Sequence, residues 1–304
     1  MKPSAPVLPG FLVAGAPKAG TTTIHATLAG HPEVFLPHGK ELHFFDDDAA
    51  YARGPGWYAR HFEAGRGRAA VGEITPAYMS YEDAPARIRQ TLGPDVRLVF
   101  VLREPVSRAY SEYLHNERRG FVTGPFEEAC RLEFRRPGLS RWERRKYSFL
   151  SRGFYATQLE RFLALFPRES LLVLLFEADL VAAPVSTMER IQAFIGVTPI
   201  TLETQRHNVA FTPRSAAVQR LLHGRNRLRE AMRAAVPSPR LRSWVRRRIE
   251  RLNDAGREPE ALDPSLGRAL FEEYFREETQ ALEKLLGRSL EAWRSRWDGG
   301  DAKG

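Results

Sequence analysis

Three groups of residues in this chain have the types and spacing to do chemistry. The first is Ala14-Gly15-Ala16-Pro17-Lys18-Ala19-Gly20-Thr21-Thr22, between a short apolar run and a helical pattern. A strand, a glycine-containing turn and a helix N-terminus make an anion cradle, because free backbone N–H groups and the positive end of the helix dipole aim at one spot. Gly15 and Gly20 allow close backbone approach, Thr21, Thr22 and Thr23 add hydroxyl donors, and Lys18 contributes one cation. The spacing follows the phosphate-loop pattern G-x-x-x-x-G-K-[ST] with one change: Thr21 stands where lysine is expected, and the nearby lysine is Lys18, inside the loop. A displaced cation touches a different ligand atom. The pattern therefore points to a phosphate-bearing ligand other than an ordinary magnesium nucleoside triphosphate.

The second group is Arg103 with Ser111, eight residues on. Arg103 ends an apolar run and Ser111 falls inside the following helical pattern, so a guanidinium fork and a hydroxyl form a natural clamp for a second phosphate. An ion pair with Glu104 or Glu112 would suit the same arginine. The third group is Lys40-Glu41-Leu42-His43-Phe44-Phe45-Asp46. In an extended segment Glu41 and His43, two apart, share a face, and a carboxylate beside an imidazole can take a proton from an acceptor hydroxyl or amine. Phe44 and Phe45 imply that the segment is packed, which would hold Glu41 in place.

The elements that must position these groups alternate in type. Residues 11–16, 69–73, 96–102 and 171–176 read as strands, the third apolar enough to be buried on both faces. Helical patterns follow over about residues 22–30, 105–118 and 155–166, the second starting at Pro105. This alternation argues for a parallel sheet with helices on both faces, whose ligands lie at the carboxyl ends of the strands, where the Gly15 loop and Arg103 both fall. Residues 214–257 carry thirteen arginines against Glu230, Glu250 and Asp254, and read as two basic helices, either a solvated face or a cap. Residues 265–286 read as one helix returning to the core.

Composition sets outer limits. A 43% hydrophobic and 27% charged chain of 304 residues is that of a soluble globular protein able to bury a large core. No apolar run approaches the roughly 20 residues of a membrane span, and no secretory signal is visible. Cys130 is the single cysteine, which excludes an intrachain disulfide and a four-thiolate zinc site, and makes the cytoplasm the expected compartment. The net charge of +9 suits a polyanionic partner: nucleic acid, anionic lipid or a multiply charged nucleotide.

In this order the three groups resemble the sulfotransferases that use 3′-phosphoadenosine 5′-phosphosulfate (PAPS), and most of all the branch with the heparan sulfate N- and O-sulfotransferases and their bacterial relatives. Gly15 to Thr22 is similar to that family's 5′-phosphosulfate loop, Val101 to Ser111 to its 3′-phosphate motif, and Glu41 to Asp46 to the segment bearing its catalytic base. Gly56-Trp57-Tyr58, Glu73-Ile74-Thr75-Pro76-Ala77-Tyr78, Arg152-Gly153-Phe154-Tyr155 and Gly287-Arg288-Ser289-Leu290 are smaller echoes. The resemblance implies an α/β, P-loop-like three-layer sandwich, with a central parallel sheet flanked by helices and an arginine-rich helical extension. It implies one sulfotransferase domain over residues 8–298, with residues 214–257 as an insertion or cap and residues 1–7 and 299–304 as disordered ends.

The roles implied are Glu41 as general base, Lys18 neutralising the leaving oxygen and His43 assisting. Lys18, Ala19, Gly20, Thr21, Thr22 and Thr23 would hold the 5′ end of PAPS, and Arg103 and Ser111 its 3′-phosphate, without a metal. Ile74 stands where many relatives carry lysine, and Arg214 is a substitute for the lysine of the late cofactor loop. The acceptor implied is a carbohydrate, glycolipid or small natural product, an anionic one suiting the arginines; peripheral membrane contact stays open and no nucleic-acid partner is expected. The competing readings are a phosphate-loop nucleotide kinase or ATPase, disfavoured by Thr21, and a basic nucleic-acid-binding protein, disfavoured by the scarcity of aromatics among the arginines.

Overall fold

Continuous apolar runs become strands buried on both faces. β1 (Phe11–Gly15) is buried at all five positions, and in β4 (Arg97–Leu102) only Arg97 is exposed. With β2 (Val34–Phe35), β3 (Ala70–Ile74) and β5 (Leu171–Leu175) they form one sheet in the order β2-β3-β1-β4-β5, every neighbouring pair parallel. Parallel pairing needs helical crossovers, which is why the strands read as unbroken hydrophobic stretches. The expected three-layer α/β architecture is observed.

A computed structural model describes residues 5–135, 138, 143, 146–202, 248 and 260–301. Within these the helices are α1 (Thr21–Ala29), α2 (Asp48–Tyr51), α3 (Pro55–Ala59), α4 (Ala84–Leu92), α5 (Pro105–Arg118), α6 (Phe126–Arg135), α7 (Tyr155–Leu163), α8 (Pro184–Ile195), α9 (Pro264–Leu270), α10 (Arg276–Leu286) and α11 (Glu291–Arg294). The chain falls into two compact units. One comprises Met1–Pro105, Phe154–His207 and Tyr274–Arg294; the other comprises Val106–Gly153, Asn208–Glu273 and Ser295–Gly304.

The first unit holds the whole sheet. Its core is the apolar stripe of β1 and β4 with Ile24 and Leu28 of α1, Ile88 of α4 and Leu159 and Phe162 of α7, all nearly or fully inaccessible. On the β4 side the register of β1 shifts between Val13 and Gly15, where the strand gives way to the loop.

The second unit is helical in its described part and is organised by buried charge. Arg108, fully buried, donates to Glu112 Oε2 at 2.6 Å and to the Phe149 carbonyl, and Arg152 pairs with the other oxygen of Glu112. Glu133 accepts the backbone N–H groups of Phe149, Leu150 and Ser151 at 2.7, 2.7 and 3.0 Å. Buried carboxylates of this kind are tolerated because their lone pairs are filled.

One strand was not expected and one expectation changes. β2 is too short for any periodicity to reveal it. The single helix expected over residues 265–286 is instead α9, a π-helical turn (Phe271–Phe275) and α10. Phe271 and Phe275, four residues apart and at the two ends of the π-helical turn, are both buried. Residues 214–257 lie outside the described residues apart from Arg248, and so do residues 1–4 and 302–304 of the ends expected at 1–7 and 299–304; residues 299–301 close a 3-10 turn (Ser295–Asp301).

Candidate functional site

The loop after β1 has the backbone geometry expected of an anion cradle. Gly20 precedes α1 with φ 84°, and a Cβ there would lie 2.5 Å from Cδ2 of Leu180 and 3.0 Å from the Phe176 ring. Only glycine meets both demands. No side chain caps α1, so its first N–H groups point out of the helix end. Ala19 and Thr21 are buried in the turn, while Thr22 and Thr23 are half-buried. Lys18 adopts φ 67°, and Arg103 Nη1 donates to its carbonyl at 3.1 Å. Arg103 is itself seated by Tyr155, whose hydroxyl donates to its carbonyl at 2.8 Å, and by Phe176, whose ring centre lies 5.1 Å from the guanidinium carbon. The end of β4 thus braces the loop after β1.

The segment Lys40–Asp46 is not extended, and the shared-face expectation for Glu41 and His43 is corrected. Glu41 has φ 64° and His43 φ 55°, both left-handed. The two side chains meet because the backbone turns: His43 Nε2 lies 3.7 Å from Glu41 Oε2. On its other edge His43 Nδ1 lies 3.0 Å from Oδ2 and 3.1 Å from Oδ1 of Asp46, which is buried. Lys40 Nζ donates to Thr22 Oγ1 at 2.8 Å and lies 3.3 Å from Glu41 Oε1. One connected set therefore runs from α1 through Lys40, Glu41 and His43 to Asp46.

This turn is pinned to β3. Glu41 N–H donates to the Ile74 carbonyl at 3.1 Å, and Phe44 N–H donates to the Tyr78 hydroxyl at 3.1 Å. The Tyr78 hydroxyl in turn donates to Glu73 at 2.6 Å. The Phe44 ring stacks on Tyr58 with centroids 4.3 Å apart. Among the described residues, three non-glycine positions have positive φ: Lys18, Glu41 and His43. These are the three residues the sequence nominated for catalysis. Each such backbone costs about 1–3 kcal/mol and persists where its surroundings over-determine it, as functional sites do.

The electrostatics divide the neighbourhood. His25, on α1 one turn beyond Thr21, is held below its ordinary pKa by burial and by the Lys40 charge, with Glu41 pulling the other way. Its Nε2 is buried without a hydrogen-bond partner. Glu73 is pushed up by burial, against the hydroxyls that donate to it, and Tyr58 and Tyr78 are pushed well up by burial and by Glu73.

Ser111 lies in α5 in the second unit, half-buried. Arg214 lies outside the described residues. Sequence reasoning passed over Lys40, Asp46 and His25 as site residues. Lys40 and Asp46 stand in the segment it quoted, but their partners depend on a turn no periodicity signals. Among the described residues no group of three or more His, Cys, Asp or Glu could hold a metal ion, and no helix is long and apolar enough to cross a membrane.

Comparison with known proteins bears on this geometry. A family profile described as the sulfotransferase domain matches residues 8–231. The chain is 28% identical over 203 residues to heparan sulfate glucosamine 3-O-sulfotransferase 5 of Mus musculus, covering 63% of this chain and 54% of that protein. It is 32% identical over 203 residues to heparan sulfate glucosamine 3-O-sulfotransferase 3B1 of Homo sapiens, covering 66% and 48%. The chain thus spans about half the length of the curated relatives it matches. A solved structure of a sulfotransferase from Alicyclobacillus acidocaldarius superposes with a TM-score of 0.65 at 26% identity, over 95% of this chain and 99% of that one.

Proposed function

From its membership of the sulfotransferase domain family, we propose that this chain transfers a sulfuryl group from PAPS to a hydroxyl or amine of a carbohydrate, glycolipid or small natural-product acceptor. The cradle fits such a donor: a glycine whose Cβ would clash, an uncapped helix start, threonine hydroxyls, Lys18 and a braced Arg103 supply cationic and N–H donors for phosphate and sulfate oxygens.

Glu41 takes the acceptor proton as the acceptor atom attacks sulfur in line. Lys18 neutralises charge building on the oxygen that leaves with the 5′-phosphate. His43, its Nδ1 edge held by Asp46, steadies Glu41 through Nε2. The segment from Ala19 to Thr23 holds the 5′ end, through its threonine hydroxyls and the N–H groups of Gly20, Thr21 and Thr22. By the family's motif, with its spacing of eight, Arg103 and Ser111 take the 3′-phosphate, and Arg214 is a further donor. As in phosphoryl transfer, the protein contributes positioning and charge stabilisation rather than covalent chemistry. With one cysteine, the chain suits a reducing compartment such as the cytoplasm. The arginine excess suits an anionic acceptor.

The observation that carries this reading beyond family membership is the coincidence of left-handed backbone with Lys18, Glu41 and His43. Calorimetric titration with adenosine 3′,5′-bisphosphate, beside ATP and with EDTA present, tests it. The expected result is micromolar or tighter binding of the bisphosphate, lost in Arg103→Ala. Magnesium-dependent binding of ATP without binding of the bisphosphate would overturn the reading in favour of a kinase.

A further inference from the structure

The steps above leave Lys40 without a task, yet its ammonium touches both halves of the site. It donates to Thr22 Oγ1 in the first turn of α1 at 2.8 Å and lies 3.3 Å from Glu41 Oε1. The first contact belongs to the cradle for the donor's 5′ end, the second to the base that takes the acceptor proton. In an in-line displacement the group in transfer lies between the leaving oxygen and the attacking atom. A cation bound to both sides sits beside that line.

The surroundings favour a cation with capacity to spare. An ammonium has three donors, and Thr22 and Glu41 engage two. Ile74 flanks the base with an apolar, buried side chain and gives Glu41 only a backbone carbonyl. On the α1 side His25 presents a buried Nε2 with no hydrogen-bond partner, and Lys40 disfavours charge there. Among the described residues the lysine ammonium in contact with Glu41 is that of Lys40.

Resting on the sulfotransferase reading, we propose that Lys40 is a second catalytic cation, binding a non-bridging oxygen of the sulfuryl group in transfer while its contact with Glu41 aims the base. The acceptor proton passes to Glu41, the new bond to sulfur forms, and the bond from sulfur to the 5′-phosphate oxygen breaks, that oxygen keeping the electron pair. Lys40 remains protonated throughout and gives up nothing. Because adenosine 3′,5′-bisphosphate lacks the sulfuryl group, Lys40 contributes little to its binding.

The test compares the full chain with Lys40→Ala and Lys40→Arg. The assay is release of adenosine 3′,5′-bisphosphate from PAPS, with water or heparan sulfate oligosaccharides as acceptor, and bisphosphate affinity is measured by calorimetry. Lys40→Ala should lower kcat about 10²-fold, the scale of losing one donor to developing charge, with the bisphosphate Kd within about threefold of wild type. Added methylammonium should restore part of the lost kcat, and Lys40→Arg should retain more activity than Lys40→Ala. Wild-type kcat in Lys40→Ala would overturn the proposal. So would a loss that appears equally in bisphosphate affinity and is not rescued by methylammonium, which marks a purely structural lysine. A wild-type chain that neither binds bisphosphate nor consumes PAPS would overturn the sulfotransferase reading itself, and the inference with it.

Discussion

Glu41 and Glu73 stand on neighbouring segments, joined through Ile74 and Tyr78, and meet opposite surroundings. Glu41 is on a left-handed turn, its side chain 40% exposed, with an ammonium on one oxygen and an imidazole near the other. Glu73 lies in β3 with no exposed surface, caged by the hydroxyls of Tyr58, Thr75 and Tyr78. A caged carboxylate has spent its lone pairs on the protein. A half-exposed one beside an ammonium and an imidazole keeps capacity for a proton from outside. The cage still bears on the turn that carries Glu41, because the Tyr78 hydroxyl that donates to Glu73 accepts the N–H of Phe44, next to His43. Glu112 and Glu133 of the second unit resemble Glu73: buried, filled and structural.

If this division is right, the two carboxylates respond to substitution in opposite currencies. Glu41→Gln should remove turnover by about 10²–10⁴-fold while bisphosphate affinity and melting temperature stay near wild type. Full activity with a competent acceptor would strip Glu41 of its role as base. Glu73→Ala should act chiefly on stability, costing about 2–4 kcal/mol in urea denaturation, because it opens a cavity and orphans three buried hydroxyls. A melting curve unchanged by Glu73→Ala would erase the contrast.

The subtlest test is pH. Glu73 is held above its ordinary 4.5 mainly by burial. A raised folded-state pKa stabilises the protein fully below 4.5, and that contribution is lost as pH rises through the elevated value. The stability advantage of wild type over Glu73→Gln should therefore shrink with rising pH in paired denaturation curves. An advantage that grew with pH would mean that the three hydroxyls, acting on the ionised carboxylate, outweigh burial.

Much of the fold was legible locally. β1, β4 and β5 are continuous apolar runs, which a strand buried on both faces requires, and Pro105 marks the start of α5 as its preset φ leads one to expect. β2 escaped because two residues carry no period, and the π-helical turn at Phe271–Phe275 escaped because its apolar pattern imitates an ordinary helix. Lys18, Gly20 and Glu41 were nominated as candidate site residues from type and spacing. The backbone that presents them was not legible, since Lys18, Glu41 and His43 lie in a region their residue types seldom visit.

The sequence alone determined which groups this protein carries: a glycine-bounded loop with its cation displaced to Lys18, a carboxylate and an imidazole at Glu41 and His43, and an arginine after an apolar run. Tertiary structure decided how those parts meet. Arg103 braces Lys18 across 85 residues, Tyr78 holds Phe44 across 34, and Lys40 reaches Thr22 across 18. Local propensity reaches one or two turns of chain. Contacts at these separations exist only once the parallel sheet sets β1 between β3 and β4 and brings their carboxyl ends side by side.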